Sequence, residues 1–179
     1  MTLEEIIIGL IRVAGSLPVL RWAFAGALIA VAVDFSDLFF REWLDLGDVR
    51  NYQSFDKWLD LVYMATFLVV ALRWRGVPRT VAVSLFLFRM VGVVTFEMTG
   101  NRYLLFAFPN VFEFWFIGVA AQKRWWPDYR LTWKHASNWL LLALALKLGQ
   151  EWTLHGGQYL EQYVVTELVG DWWDWLTGR

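Results

Sequence analysis

Long apolar segments, each nearly as long as a membrane is thick, dominate this chain of 179 residues. Hydrophobic residues make up 58% of the sequence and charged residues only 18%, which is too apolar for an ordinary soluble domain. A helix needs about 20 mainly apolar residues to cross a bilayer. The sequence therefore predicts an all-α, polytopic integral membrane protein with about five transmembrane helices. The five segments are 18–40, 55–74, 80–98, 103–121 and 136–150.

Short connections between these segments predict one helical membrane domain over residues 1–179, with a five-helix bundle at 18–152. The sequences RGVPR at 75–79 and TGNR at 99–102 contain Gly or Pro and are typical of tight turns between helices. Pro109 lies inside the fourth segment. Because proline lacks a backbone donor, we expect it to kink that helix or to begin its regular part.

Both ends of the chain are predicted to form amphipathic helices at the membrane surface. Residues 1–16 contain an apolar run too short to span and no basic region typical of a cleavable signal. Residues 158–177 place Tyr, Leu, Val and Trp on one side of a helix and acidic residues largely on the others. Most of the 13 tryptophans lie near the ends of apolar runs, which suits the lipid–water boundary.

The distribution of basic residues predicts an orientation in an inner or plasma membrane. If all five segments span, nine Lys and Arg lie on the side of the N-terminus and five on the other side. Basic residues favour the cytoplasm, so the N-terminus is expected there and the C-terminus outside. The net charge of −1 and the scattered basic residues give no support for nucleic-acid binding. The absence of cysteine excludes disulfides and thiolate metal sites.

Four aspartates form the most informative polar pattern. Asp34 and Asp37 close the first apolar segment, and Asp56 and Asp60 open the second. Spacings of three and four place both carboxylates of each pair on one face of a helix. Such a cluster at a membrane edge needs a cation, a basic partner or water to compensate its charge. Carboxylate oxygens suit Mg²⁺, Mn²⁺ or Ca²⁺, so all four are candidate metal ligands. Alternatively, they end helices and meet water beside the polar loop 41–54.

The spacing of these aspartates resembles that of the CDP-alcohol phosphotransferase family. DFSD at 34–37 and DKWLD at 56–60 match the family's aspartates in spacing and in their position at helix ends. The resemblance implies a metal-dependent enzyme of lipid synthesis. Two metal ions would polarise a phosphoryl group and activate a hydroxyl, with Asp60 as the candidate catalytic residue. Arg89 falls where the family often has an arginine.

The chain departs from the family pattern at the positions that serve the nucleotide. Leu38 and Tyr52 stand where the family has glycines. Arg41 and Glu42 replace the family's Ala-Arg pair. These residues therefore do not predict CDP binding.

A second polar centre is predicted inside the bundle. Arg89 lies near the middle of the third segment and Glu113 near the middle of the fourth, with Asn110 one turn before it. A charge in the membrane interior costs a few kcal/mol, so we expect an Arg89–Glu113 ion pair between antiparallel neighbouring helices. The pair is either structural or part of a path for a proton, an ion or a lipid headgroup.

A third polar group lies at the ends of the third and fifth segments: Glu97, Lys147, Glu151 and His155. Lys147 and Glu151 are four apart and can pair on one helix face, and His155 follows one turn later. These residues predict either the hydrated end of a helix or an outer vestibule shared with the aspartates.

Three functions follow from these patterns. The first is an acidic site at the membrane edge that binds a divalent cation and binds or acts on a polar lipid or phosphate-bearing substrate. The second is a small transporter or channel that uses the Arg–Glu centre, as a homo-oligomer. The third is a non-catalytic subunit that docks on other membrane subunits. Membrane lipids are expected partners in each case.

Overall fold

Our computed structural model describes residues 3–44, 52–101, 104 and 107–151, which form helices joined by short turns. Side chains are described for 6–36, 58–101, 104 and 107–149. No strand occurs in these ranges, which confirms the all-α prediction for them. The 3₁₀ turn Leu17–Leu20 joins the first two helices. The helices are α1 (Leu3–Ser16), α2 (Ala23–Leu44), α3 (Tyr52–Ala71), α4 (Val77–Thr99), α5 (Val111–Trp125) and α6 (Trp133–Glu151).

Prolines explain the two helices that begin later than the apolar segments suggest. Pro18 lies at the start of the 3₁₀ turn, so α2 begins at Ala23. Pro109 precedes α5, whose first residue is Val111, so this proline begins the regular part of the fourth segment instead of kinking it.

The turns around α4 have the predicted sequence signals. Gly76 before the helix and Gly100 after it have φ angles of 68° and 67°, which glycine adopts without strain. The backbone N–H of Gly100 donates to the Phe96 carbonyl at 2.7 Å and so caps the end of the helix.

Among the described residues, α4 alone is both long and apolar enough to cross a membrane. Shorter apolar stretches occur at Ile6–Leu20, Ala23–Ser36 and Trp58–Ala71. The prediction of five spanning helices is therefore not confirmed. The predicted tail helix at 158–177 lies outside the described residues.

The first helix packs against α2 and α3. Ile8, Arg12 and Ser16 are buried and spaced four apart, so they form one face of α1. Ile6 and Leu10 are exposed. This helix therefore presents apolar side chains outward and buries a charge. Its location at a membrane surface stays a prediction.

An aromatic core holds α3 against α5. The Phe67 and Phe116 rings stack with centroids 4.3 Å apart, and Trp74 stacks on Phe116 at 5.0 Å. Phe67 also lies against Phe112 at 6.4 Å. Because Tyr63 is one helical turn before Phe67, this packing places its hydroxyl beside the first turn of α5.

Candidate functional site

Two of the four aspartates meet at a guanidinium. Arg12 of α1 forms an ion pair with Asp34 of α2, and its Nη2 donates to Asp60 Oδ1 of α3 at 2.9 Å. The Arg12 side chain is 3% exposed, whereas those of Asp34 and Asp60 are 29% and 14% exposed. The basic partner that such carboxylates need is thus supplied by the chain itself.

The predicted metal cluster is tested only in part by this geometry. Asp37 and Asp56 lie in α2 and α3, but their side chains are outside the described set. Among the described side chains, no three His, Cys, Asp or Glu residues lie close enough to hold a metal ion. The structure therefore brings Asp34 and Asp60 together through Arg12, and a four-aspartate metal site stays a prediction.

A second group of polar side chains is buried between α3 and α5. The Tyr63 hydroxyl donates to Glu113 Oε2 at 3.1 Å. Asn110 Nδ2 donates to the Tyr63 hydroxyl at 3.0 Å and to Glu113 Oε2 at 3.3 Å. Each of the three residues is less than a tenth exposed. We call this closed set of hydrogen bonds the Tyr63–Asn110–Glu113 triad.

The position of Asn110 at the start of α5 explains part of the triad. Asparagine before a helix usually accepts a hydrogen bond from the first turn of that helix. Here Asn110 makes no such bond, because its amide nitrogen turns toward Glu113, three residues later. Its Oδ1 atom is buried and accepts no hydrogen bond from the part of the chain that is described. The residue serves the triad instead of capping the helix.

Arg89 approaches the triad from α4. Its Nη1 donates to the Phe108 carbonyl at 2.7 Å, just before α5. Gly92, one turn along α4, leaves room for Phe108: a Cβ there would lie 2.9 Å from Phe108 Cγ and closer still to its Cβ. Arg89 is thus held at the residue two positions before Asn110. An Arg89–Glu113 ion pair stays a prediction.

Lys147 adds a second positive charge from α6. It is buried in the bundle. Buried or half-buried charges therefore occur on all six described helices. They comprise the acids Asp34, Asp60 and Glu113 and the bases Arg12, Arg89 and Lys147.

The predicted vestibule is described only at two of its residues. Glu97 is exposed near the end of α4, while Lys147 is buried in α6. The Glu151 side chain and the whole of His155 lie outside the described set. A shared vestibule stays a prediction.

Sequence reasoning missed Arg12 and Tyr63 as members of the site. Tyr63 follows Asp60 by three residues, so the helical period could have placed both on one face of α3. Arg12 lies four residues from Ile8 and from Ser16 on the buried face of α1. Nothing in the spacing alone indicates that this face packs beside Asp34.

Comparison of the chain with models of known families, with curated proteins and with solved structures finds no match in any of the three. The resemblance to CDP-alcohol phosphotransferases is therefore neither supported nor refuted. The function is therefore inferred from the geometry of the buried polar and charged side chains.

Proposed function

We propose that this chain is a small helical membrane protein that moves a small ion through the charged interior of its bundle. The observation that carries the proposal is the buried Tyr63–Asn110–Glu113 triad, with buried Arg89 held at the Phe108 carbonyl just before it. Ionisable groups inside a membrane are expensive, so their burial there favours a functional role such as an ion or proton path.

The outer surface of the bundle supports a lipid environment. Met98 of α4 is 80% exposed, Leu141 of α6 is 66% exposed and Leu10 of α1 is 65% exposed. Polar and charged residues such as Arg12, Arg89 and Glu113 are instead buried. In a soluble protein charged side chains almost always reach water, so buried charges together with exposed large apolar side chains favour a lipid environment. This distribution supports spanning roles for helices besides α4.

The arrangement of the charges supports movement of an ion along the bundle. Asp60 of α3 is bonded to Arg12, which also contacts Asp34 of α2. Glu113 of α5 is bonded to Tyr63, which lies one turn after Asp60 on α3. Acidic groups on three helices are therefore linked through Arg12 and through neighbouring residues of α3. Compensation by a base such as Arg12 lets a carboxylate persist in a low dielectric while it exchanges a bound ion.

Flux through liposomes tests the proposal. Purified protein is reconstituted in vesicles that contain a pH-sensitive dye and are given a proton gradient, and in vesicles that contain a potassium-sensitive dye and are given a potassium gradient. We expect flux of one of these ions, and roughly a tenfold or larger loss in Glu113→Gln and Tyr63→Phe, since both remove a group from the buried path.

Matched controls use exposed residues of the same types. Asp128→Asn removes an exposed carboxylate, and Tyr129→Phe removes an exposed hydroxyl. Both should conduct like the natural protein. Equal flux in Glu113→Gln and Asp128→Asn, with both folded, would exclude an ion path through the triad.

A second candidate is a divalent-cation site that binds a lipid headgroup or another phosphate-bearing substrate, as the aspartate spacing predicts. The convergence of Asp34 and Asp60 favours it. Because Asp60 also bonds Arg12, a variant at Asp60 would confuse metal binding with stability. Asp37→Asn with Asp56→Asn avoids that contact. If Mg²⁺, Mn²⁺ or Ca²⁺ raises the melting temperature of the natural protein and not of this double variant, the site is supported; no shift in either removes it.

A further inference from the structure

We propose that one end of the bundle is a binding surface for the headgroups of anionic phospholipids. The surface, called here the basic end, consists of residues 17–24, 72–80 and 122–135. These segments contain one acidic residue, Asp128. Their basic residues, all exposed, are Arg21, Arg73, Arg75, Arg79, Lys123, Arg124, Arg130 and Lys134.

Contacts between the three segments place these charges at the same end. Arg73 Nη1 donates to the Leu20 carbonyl at 3.1 Å, which joins the α3–α4 turn to the turn before α2. The Phe24 and Trp125 rings meet edge to face with centroids 4.7 Å apart, which joins the start of α2 to the end of α5. The α5–α6 turn follows directly after Trp125, and Gln122 Nε2 fixes it by donating to the carbonyls of Trp126 and Tyr129.

Exposed aromatic residues lie among these charges and identify the kind of partner. Trp22, Trp125, Trp126 and Trp133 are each more than half exposed. Indole rings prefer the level of lipid headgroups, and clusters of four to eight basic residues beside an apolar helix attract an anionic leaflet. A charged surface for a soluble acidic partner would not need four exposed tryptophans next to the apolar sides of the bundle. The combination favours an anionic membrane surface.

The proposal is independent of ion movement through the bundle. It uses none of the residues of the triad, and it would hold equally for a protein that conducts nothing. The chain also offers a contrast along its length, since residues 34–60 carry seven acidic and three basic residues. The attraction to anionic headgroups is therefore assigned to the basic end alone.

Lipid selectivity measured with spin-labelled lipids tests this surface. The protein is reconstituted in phosphatidylcholine, and association of spin-labelled phosphatidylglycerol is compared with that of spin-labelled phosphatidylcholine. We expect phosphatidylglycerol to be preferred by about fivefold or more at low salt, because each basic residue near an anionic surface strengthens binding about fivefold. The preference should shrink as salt rises, since exposed charges are then screened.

Charge-neutralising variants locate the effect. The triple variant Arg75→Gln, Arg79→Gln, Arg124→Gln changes three exposed side chains and leaves the Arg73–Leu20 bond in place. It should lose most of the preference. The matched control Arg41→Gln, Arg50→Gln, Lys57→Gln removes the same number of positive charges from the acidic segment 34–60. This variant should keep the preference for phosphatidylglycerol.

Three results would overturn the proposal. One is equal association of both lipids with the natural protein at low salt, a measurement that requires no variant. Another is an unchanged preference in the folded triple variant. The third is displacement of phosphatidylglycerol by a short RNA whose affinity falls in the triple variant as much as that of the lipid. The surface would then be a general polyanion site.

Discussion

One guanidinium joins three helices of this protein. Arg12 comes from α1 and contacts carboxylates from α2 and α3, at Asp34 and Asp60. The contact also changes the count of basic residues that predicts orientation. With Arg12 counted on the N-terminal side, nine basic residues lie on that side and five on the other. Because Arg12 contacts aspartates that the prediction places on the other side, the counts become eight and six. The predicted orientation consequently depends more on the exposed arginines of the basic end.

Replacing Arg12 by methionine should destabilise the fold by about 3 kcal/mol. The substitution keeps most of the side-chain volume but leaves Asp34 and Asp60 as partly buried carboxylates without their basic partner. Unfolding by denaturant in detergent micelles would measure the loss. The control Arg21→Met changes an exposed arginine and should have little effect.

A double variant separates charge from packing at this position. Arg12→Met combined with Asp60→Asn removes one of the stranded carboxylates, so part of the stability should return. If the double variant were as unstable as the sum of both single variants, the Arg12–Asp60 contact would contribute nothing.

Tyr63→Phe should lower stability by about 1–3 kcal/mol. The Tyr63 hydroxyl donates to Glu113 and accepts from Asn110, so its removal leaves two buried polar groups each short of a partner. Thermal and denaturant unfolding would measure the change. Tyr129→Phe removes an exposed hydroxyl and should change stability by less than about 0.5 kcal/mol. Equal effects of both substitutions would contradict the buried triad.

At the scale of elements, the sequence predicts helices better than their ends and their neighbours. Hydropathy places α3, α4 and α6 within about one turn of their observed bounds, because long apolar runs between turn residues fold locally. The start of α2 depends on whether Pro18 continues a helix or opens a 3₁₀ turn, which local pattern does not decide. Asn110 and Glu113 were predicted as a polar centre, yet their partner Tyr63 follows from how α3 packs on α5.

Close packing at the start of α2 predicts that Gly26→Ala is destabilising. An added Cβ would lie 2.5 Å from the Pro18 carbonyl carbon and still closer to the Val19 nitrogen, so backbone would have to move. We expect a loss of about 1–3 kcal/mol in unfolding experiments.

Gly149→Ala is the matched control for this helix position. Apart from the backbone of α6 itself, the described residues place no atom within 4 Å of a Cβ added at Gly149. Alanine is the better helix former by about 1 kcal/mol, so this variant should be as stable as the natural protein or more stable. If both variants destabilised alike, the tight contact between α2 and the 3₁₀ turn would not explain the Gly26 result.

Across the described part of the molecule, apolar and aromatic side chains fill the core, a few charges are buried among them, and many large apolar side chains are exposed. A sequence shows how many residues are apolar, but it does not show which of them face inward. Leu141 and Phe67 both lie in apolar stretches, yet the first is exposed and the second is buried in the aromatic core. Packing alone decides between them, so the proposal of a lipid-facing exterior depends on the observed exposure.

Single cysteines in this cysteine-free chain test the membrane arrangement as a whole. Five spans place residue 54 outside, residue 128 at the cytoplasmic basic end and residue 141 in lipid. In intact cells an impermeant thiol reagent should label Ser54→Cys. It should label Asp128→Cys after permeabilisation, and Leu141→Cys in neither condition while the protein remains folded. Labelling of Leu141→Cys in the folded protein would place that exposed face of α6 in water, contrary to a lipid-facing bundle.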